Sequence, residues 1–575
     1  MDTTSAIKYI VFVLHGWTLK PQDYDDIVNV IHNKFPEGSV KLKIPRLPMS
    51  AFSTADPDDI VISILKKIDK EWEKSIELTG TKPNIIIIGH STGSVLARKV
   101  YVAACGENND APFEKNYKDK NPKEWAENVE RLILLAGMNR GWSINPHLNT
   151  MNGIVLRLLA GIGSFLQLFR FKFLAFKTKR GGRFITQLRI QWLSMLRNAY
   201  TKKTGKATVV QLLGTLDDII SPEDNVDDIT GNTFIYLEVP RSNHLTVLNM
   251  NDDPEKQKIL KTALIETKEE LKKHIVETAD ENRIAANGDI TDVVFVIHGI
   301  RDTGYWTQKL ARRIKRYGDG KPIEESKRLN KNIKVRKFAT ETSTYGYFAM
   351  LPFALPYKRR QKVEWFMDQY TENLAKYPNA QFSFFGHSNG THLLAKALKE
   401  YPACKFNNVI FAGSVVHNSY EWKKIIESGR IKKFYNYIAS SDWVVALFPK
   451  TLRMILRDPD LGSGGFDGFT EDLNTHYQLR FIRGGHGAAT EESCWDDITR
   501  FIVDGIIPEP SSNIAIKKRG LLMKFLGAAA PFPFLFILLI FSAIPVFVFL
   551  CIGGWKSFVF LFIYLAIIKK VVTEI

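Results

Sequence analysis

The chain has 575 residues, which is too long for a single hydrophobic core and predicts two to four domains. With 45% hydrophobic and 24% charged residues, its composition is that of an ordinary globular protein. The four cysteines form no Cys-x-x-Cys pair and no pattern with the spacing of metal ligands. A disulfide framework or a zinc site is therefore not expected. No metal or cofactor is expected at the sites described below.

The formal net charge is +17, which is compatible with nucleic acid or with an anionic membrane surface as a partner. The basic residues recur beside apolar stretches, at 177–183, 517–519 and 569–570, and no glycine-rich phosphate loop or zinc pattern accompanies them. The charge therefore favours a membrane, and no nucleic-acid partner is expected.

Two sequence motifs occur twice along the chain. The apolar run ending in His-Gly at 9–16 is repeated at 293–299, and IIIIGHSTG at 85–93 is repeated as FSFFGHSNG at 382–390. A repeat of whole motifs at this distance indicates that one domain has been used twice.

Within each copy, short apolar runs alternate with helical segments. Such continuous runs are typical of parallel strands that are covered by helices on both faces, which predicts an α/β fold for both copies. The predicted strands are 10–14, 85–88, 132–135, 208–213 and 234–239 in the first copy, and 293–297, 382–385, 409–412, 434–438 and 478–482 in the second.

The motif Gly-x-Ser-x-Gly is centred on Ser91 in the first copy and on Ser388 in the second. Each motif follows a predicted strand and precedes a helical pattern. A serine on such a sharp turn projects its Oγ from the carboxyl edge of the sheet, and the flanking glycines relieve crowding of the backbone. Ser91 and Ser388 are therefore the predicted nucleophiles.

Both halves resemble α/β-hydrolase fold enzymes of the lipase, esterase and thioesterase kind, over residues 7–260 and 290–505. In that family the acid and then the histidine follow the nucleophile. The segment GTLDDIISP at 214–222 is similar to the family's acid loop, which implies Asp217 as the acid and leaves Asp218 as an alternative. The resemblance implies His244 as the base of the first copy.

In the second copy the same order implies Asp442 as the acid and His486 as the base. The resemblance also places an oxyanion hole after each early strand, built from backbone N–H groups. The implied donors are Trp17 and Thr92 in the first copy, and Ile300 and Asn389 in the second. The histidines of the two His-Gly pairs are expected to order their loops.

An insert at 139–207 separates the third and fourth predicted strands of the first copy and is expected to form a cap. Its segment 153–183 is apolar with only basic charges, which suits a cap that faces an anionic lipid leaflet. A cap that packs only against protein is the alternative. The two pockets are expected to accept different substrates.

The C-terminal region changes character, because 525–555 contains no charged residue. This pattern predicts a membrane anchor of one or two transmembrane helices within 520–575, with a buried core helix as the alternative. The predicted domains are thus 1–278, a linker at 279–289, 290–510, and the anchor. Because no signal peptide is predicted, the catalytic domains are expected to face the cytoplasm.

These expectations combine into a membrane-anchored tandem serine hydrolase that cleaves ester or thioester bonds of lipids or acylated substrates through Ser-His-Asp triads. An acyltransferase is the nearest alternative, since it differs only in excluding water from the acyl-enzyme. A catalytically inactive scaffold that recruits partners to a membrane is the alternative from another class.

Overall fold

The computed structural model describes residues 7–142, 173–199, 201–217, 234–273, 287–300, 304–323, 334–343, 345, 350–471, 476–508, 514–516, 518–552 and 554–573. The chain divides into two compact units. Unit 1 is Met1–Ala286, Met367–Lys376 and Tyr401–Ala403, and unit 2 is Asn287–Phe366, Tyr377–Glu400 and Cys404–Ile575. Most of the predicted linker, 279–286, lies outside the described residues.

Unit 1 contains a sheet of six strands. They are β1 (Tyr9–Leu14), β2 (Val40–Lys43), β3 (Asn84–His90), β4 (Val129–Leu135), β5 (Thr208–Gly214) and β6 (Phe234–Val239). All neighbours pair in parallel, in the order β2-β1-β3-β4-β5-β6. The carboxyl ends of all six strands therefore lie along one edge of the sheet.

Helices cover both faces of this sheet. They are α1 (Asp25–Lys34), α2 (Pro57–Thr79), α3 (Thr92–Ala104), α4 (Leu174–Lys177), α5 (Arg183–Asn198), α6 (Pro254–Ile265) and α7 (Lys268–Lys273). Shorter 3-10 turns are Pro21–Tyr24, Glu124–Asn128 and Thr246–Leu248. Successive residues of β1 enter two different cores: Ile10 and Phe12 pack with α2, α3 and α5, whereas Val11 and Val13 pack with α1 and α6.

The predicted cap is described only in part. Residues 153–172 of its apolar segment lie outside the described residues. The described remainder packs on unit 1, because Leu174 of α4 and Phe184 and Trp192 of α5 are buried in the same core as α3. The lipid-facing segment predicted at 153–183 stays a prediction, because most of it lies outside the described residues.

Unit 2 contains a second parallel sheet, in the order β12-β11-β10-β9-β7-β8. Its strands are β7 (Asp292–Ile297), β8 (Phe338–Glu341), β9 (Gln381–His387), β10 (Phe406–Ala412), β11 (Ile431–Ala439) and β12 (His476–Ile482). Its helices are α8 (Tyr305–Gly318), α9 (Met350–Ala354), α10 (Pro356–Lys376, assigned to unit 1 from Met367 onward), α11 (Asn389–Glu400), α12 (Trp422–Glu427), α13 (Trp443–Leu456) and α14 (Trp495–Asp504), with 3-10 turns at Ala488–Thr490 and Glu492–Cys494. The predicted tandem α/β architecture is thus confirmed.

The C-terminal region forms three helices, α15 (Leu521–Ala529), α16 (Phe532–Ile552) and α17 (Gly554–Thr573). None of the helices among the described residues is long and apolar enough to cross a membrane, so the predicted transmembrane helices are wrong. The prediction depended on the uncharged stretch 525–555, and the chain divides that stretch among three helices. Pro545 also lies inside α16, and α17 carries Lys556, Lys569 and Lys570.

Candidate active sites

Each predicted nucleophile lies on a strained turn between a strand and a helix. Ser91 links β3 to α3 with φ 52° and ψ −121°, and Ser388 links β9 to α11 with φ 51°. Each serine N–H donates to the last carbonyl of the neighbouring strand, Leu135 O and Ala412 O, at 2.9 Å. A positive φ is rare for a residue with a side chain, and this geometry turns the serine out at the edge of the sheet.

The last glycine of each motif permits a close approach to the first strand. A Cβ on Gly93 would lie 2.1 Å from Leu14 O, and a Cβ on Gly390 would lie 2.7 Å from Ile297 O. Only a residue without a side chain fits at these distances. The start of each helix is therefore held against the end of β1 or β7.

In unit 1 the structure brings the three predicted triad residues together. His244 Nε2 lies 2.8 Å from Ser91 Oγ, and His244 Nδ1 lies 3.0 Å from Asp217 Oδ2. The side chains of His244 and Asp217 are 8% and 1% exposed. The alternative acid, Asp218, lies outside the described residues. This arrangement allows the imidazole to take a proton from the serine while the carboxylate orients it.

A second layer of hydrogen bonds joins the base to the loop after β1. His90 Nε2 donates to the backbone carbonyl of His244 at 2.9 Å, and His90 Nδ1 lies 3.0 Å from the hydroxyl of Tyr24. The same hydroxyl accepts the Gly16 N–H at 2.7 Å. Complete burial lowers the pKa of His90 to about 3, so the ring is neutral, with Nδ1 accepting the hydroxyl proton of Tyr24.

The histidines of the His-Gly pairs order their loops, as expected. His15 Nδ1 donates to Gly16 O at 3.0 Å, while its Nε2 accepts the Leu47 N–H at 2.9 Å. Burial lowers the pKa of His15. In unit 2 His298 Nδ1 donates to Gly299 O at 2.8 Å, so the same local bond recurs.

Two of the implied oxyanion donors, Thr92 and Asn389, directly follow the serines in the chain. The other two, Trp17 and Ile300, lie in the loops that follow β1 and β7. Within the part of the chain that the structure describes, the N–H groups of Trp17, Thr92, Ile300 and Asn389 donate to no protein acceptor. Thr92 and Asn389 are also the first residues of α3 and α11. The partial positive charge at a helix start favours a negative oxygen there.

In unit 2 the predicted acid and base are hydrogen-bonded to each other, but the described residues include no hydrogen bond from the base to the nucleophile. His486 Nδ1 lies 2.9 Å from Asp442 Oδ2, and Asp442 Oδ1 accepts the Val445 N–H at 2.9 Å as the cap of α13. Among the described residues, no hydrogen bond joins Ser388 Oγ to His486. His387 Nε2 donates to His486 O at 3.1 Å, which repeats the bond between His90 and His244.

A tyrosine also contacts the loop beside the nucleophile in unit 2. It is Tyr345, which follows β8, whereas Tyr24 of unit 1 lies in the 3-10 turn after β1. Tyr345 Oη lies 3.0 Å from His298 O and 2.9 Å from Gly299 O, and it accepts a hydrogen bond from Asn389 Nδ2 at 3.1 Å. Neither Tyr24 nor Tyr345 was singled out from the sequence. No short-range pattern marks them, because they contact residues that lie far away along the chain.

Two parallel sheets, each with a strained serine at its carboxyl edge and a histidine-aspartate pair beside it, decide the fold. Both units have the α/β-hydrolase fold. Among the described residues, no cluster of His, Cys, Asp or Glu could hold a metal ion. The arrangement in unit 1 suits acyl transfer through a serine.

Neither a protein-family model nor a curated protein matches the chain. Among solved structures it is similar to phospholipase PlaB from Legionella pneumophila, with 17% identity over 46% of this chain and a TM-score of 0.31. The match spans 62% of that phospholipase. The siderophore hydrolase EstB from Aspergillus fumigatus matches 47% of this chain and 93% of its own, with 13% identity and a TM-score of 0.33. A lipase-esterase related protein from Clostridium acetobutylicum matches 47% and 95%, with 14% identity and a TM-score of 0.25.

Proposed function

We propose that this protein is a serine hydrolase that cleaves carboxylic ester or thioester bonds. One observation carries the proposal: in unit 1 a serine on a strained turn, a histidine and a buried aspartate form a continuous chain of hydrogen bonds of 2.8 and 3.0 Å. A buried structural network needs none of the strain at Ser91, where φ is 52°.

The proposed reaction begins when Ser91 Oγ attacks the carbonyl carbon of the bound ester while His244 Nε2 takes the serine proton. The carbonyl oxygen becomes an oxyanion, which the N–H groups of Trp17 and Thr92 stabilise. The intermediate collapses as His244 gives its proton to the leaving alcohol or thiol. Water then attacks the acyl-enzyme by the same steps and restores Ser91.

Apolar side chains beside the triad favour a substrate with an apolar acyl group. Leu216 and Leu245 directly flank Asp217 and His244, and they are 65% and 54% exposed. Exposed leucine side chains can cover a hydrocarbon chain of a substrate, and each fully buried side chain contributes about 1.5–3 kcal/mol. Lipids and acylated proteins or thioesters are the substrate classes that we propose.

A fluorophosphonate probe tests the proposal, because it reacts with activated serines and remains attached to them. The full-length chain is compared with Ser91→Ala, Ser388→Ala and the double variant, and Ser428→Ala serves as a distant control. We expect labelling at Ser91 that is lost in Ser91→Ala and retained in Ser428→Ala. A wild-type chain that takes no label would overturn the proposal and favour the scaffold.

Turnover is then measured with p-nitrophenyl esters of increasing chain length, with and without a soluble alcohol as acceptor. A hydrolase releases the free acid even when the alcohol is present, and longer acyl chains should raise kcat/KM. Transfer of most acyl groups to the alcohol would instead identify an acyltransferase.

A further inference from the structure

The second site contains the same three residue types as the first, but its nucleophile and base are separated. Ser388 Oγ makes no hydrogen bond to His486 among the described residues. Its Oγ lies instead 3.3 Å from where a Cβ on Gly299 would be, on the side of the loop after β7. The Cβ of Ser388 is nearer still, at 2.7 Å; around Gly16, the corresponding glycine of unit 1, the Ser91 Cβ lies at 3.2 Å and Ser91 Oγ is not among the three nearest atoms.

The imidazole of His486 lies against Gly413, the residue that follows β10. A Cβ on Gly413 would come within 2.8 Å of His486 Cε1, 2.9 Å of its Nδ1 and 3.0 Å of its carbonyl oxygen. The two distances to the ring are shorter than real Cβ contacts. The ring therefore occupies space that exists only because residue 413 has no side chain.

The equivalent residue of unit 1 is Ala136. Ala136 follows β4 as Gly413 follows β10, because His90 pairs with Leu135 in the same register as His387 pairs with Ala412. Both residues have a positive φ, 43° at Ala136 and 54° at Gly413. Alanine therefore occurs at this backbone geometry in unit 1, whereas a methyl group on residue 413 would lie where the His486 ring lies in unit 2.

The loops that carry the two bases also differ. In unit 1 Asn243 Oδ1 accepts the N–H groups of Leu245 and Thr246 at 3.0 and 2.8 Å, which holds the turn around His244. In unit 2 the base lies in the sequence Gly-Gly-His-Gly at 484–487. The side chain of His486 is 19% exposed, against 8% for His244.

We propose that the residue after the fourth strand of each sheet is a positioning residue for the base. Ala136 keeps His244 against Ser91, whereas Gly413 lets His486 rest away from Ser388 while it stays bonded to Asp442. For the second site to react, the His486 ring must move away from Gly413. Ser388 Oγ must also turn toward His486 Nε2. This inference rests on the proposed function, because it concerns how the same chemistry is gated in unit 2.

The test exchanges the two residues in the full-length chain. Fluorophosphonate labelling rates of Ser91 and Ser388 are measured together by peptide-resolved mass spectrometry, so each serine is a reference for the other. A general base contributes about 10²–10⁴ in rate, so a partial gain or loss of engagement should be at least about tenfold. We expect Gly413→Ala to raise labelling of Ser388 and Ala136→Gly to lower labelling of Ser91.

A double-mutant cycle separates positioning of the base from a change in packing alone. His486→Gln should reduce Ser388 labelling more in the Gly413→Ala chain than in the wild-type chain, because the base is engaged only in the former. Thermal unfolding is followed for every variant. Ala136→Gly removes strain rather than adding bulk, and therefore keeps the test informative if Gly413→Ala unfolds.

The outcomes distinguish the two proposals. Absence of label at Ser91 in the wild-type chain means that the proposed function fails. This inference fails if Ser91 is labelled in the wild-type chain and the folded Gly413→Ala variant shows no rise in the labelling rate of Ser388. An effect of His486→Gln that is equal in both backgrounds also overturns it.

Discussion

Replacing Tyr24 with phenylalanine removes one hydroxyl that serves two buried partners in unit 1. The Gly16 N–H loses its acceptor at 2.7 Å, and His90 Nδ1 loses the donor at 3.0 Å. Because burial raises the pKa of Tyr24, the hydroxyl retains its proton and can donate to His90. Each unsatisfied buried group costs about 1–3 kcal/mol, so the loss of both partners should destabilise unit 1 by roughly 2–6 kcal/mol.

The same substitution should also slow the reaction, because Gly16 directly precedes Trp17. Loss of one oxyanion donor costs about 10²–10³ in rate, and we expect part of that loss, about tenfold or more in the labelling rate of Ser91. Tyr101→Phe is the matched control. Its hydroxyl accepts the Ala207 N–H at 2.9 Å, and removing it should lower the thermal midpoint without slowing Ser91. Equal labelling rates in the two variants would refute the reasoning.

Two further predictions concern the acids of unit 1. Asp217→Asn should lower Ser91-dependent ester turnover by roughly 10³–10⁴-fold with little change in thermal midpoint, because an amide no longer stabilises the correct imidazole tautomer; a loss below tenfold would contradict it. Burial raises the pKa of Asp58 from 3.8 to about 6, partly offset by Lys99. A raised pKa contributes stability below about pH 3.8 that is lost as the pH rises through about 6. The thermal midpoint of the wild type should therefore fall relative to that of Asp58→Asn between these pH values, and parallel curves would exclude this effect.

The buried strands could be predicted from the sequence because both of their faces are covered. Each of the ten predicted runs coincides with an observed strand, whereas β2 and β8 were missed. Both are four-residue strands at an edge of their sheets, and β2, with the sequence Val-Lys-Leu-Lys, alternates instead of forming an apolar run. Apolar composition also misled the interpretation of the tail, since it does not reveal where one helix ends and the next begins.

The six triad residues could be proposed from motif order. Whether each serine forms a hydrogen bond with its histidine could not be predicted from the sequence. Ser91 and Ser388 follow similar strands, and His244 and His486 follow the last strand of each sheet. The contacts that distinguish the two sites come from Tyr24, Tyr345, Ala136 and Gly413. No local sequence pattern marks these four residues. Each contacts residues that are distant in the sequence and that the sheet brings close in space.

The difference between the sites follows from one methyl group placed where three elements meet. The residue after the fourth strand adjoins the serine turn, since the carbonyl before it accepts the serine N–H at 2.9 Å in both units. A methyl group on residue 413 would occupy space that the His486 ring fills, whereas the glycine there gives the ring a resting place that still keeps its bond to the acid. The acid-base pair can then be preserved while nucleophile and base are separated. A duplicated domain can thus retain all its catalytic residue types and still differ in activity, because the chemistry requires contact between them as well as their presence.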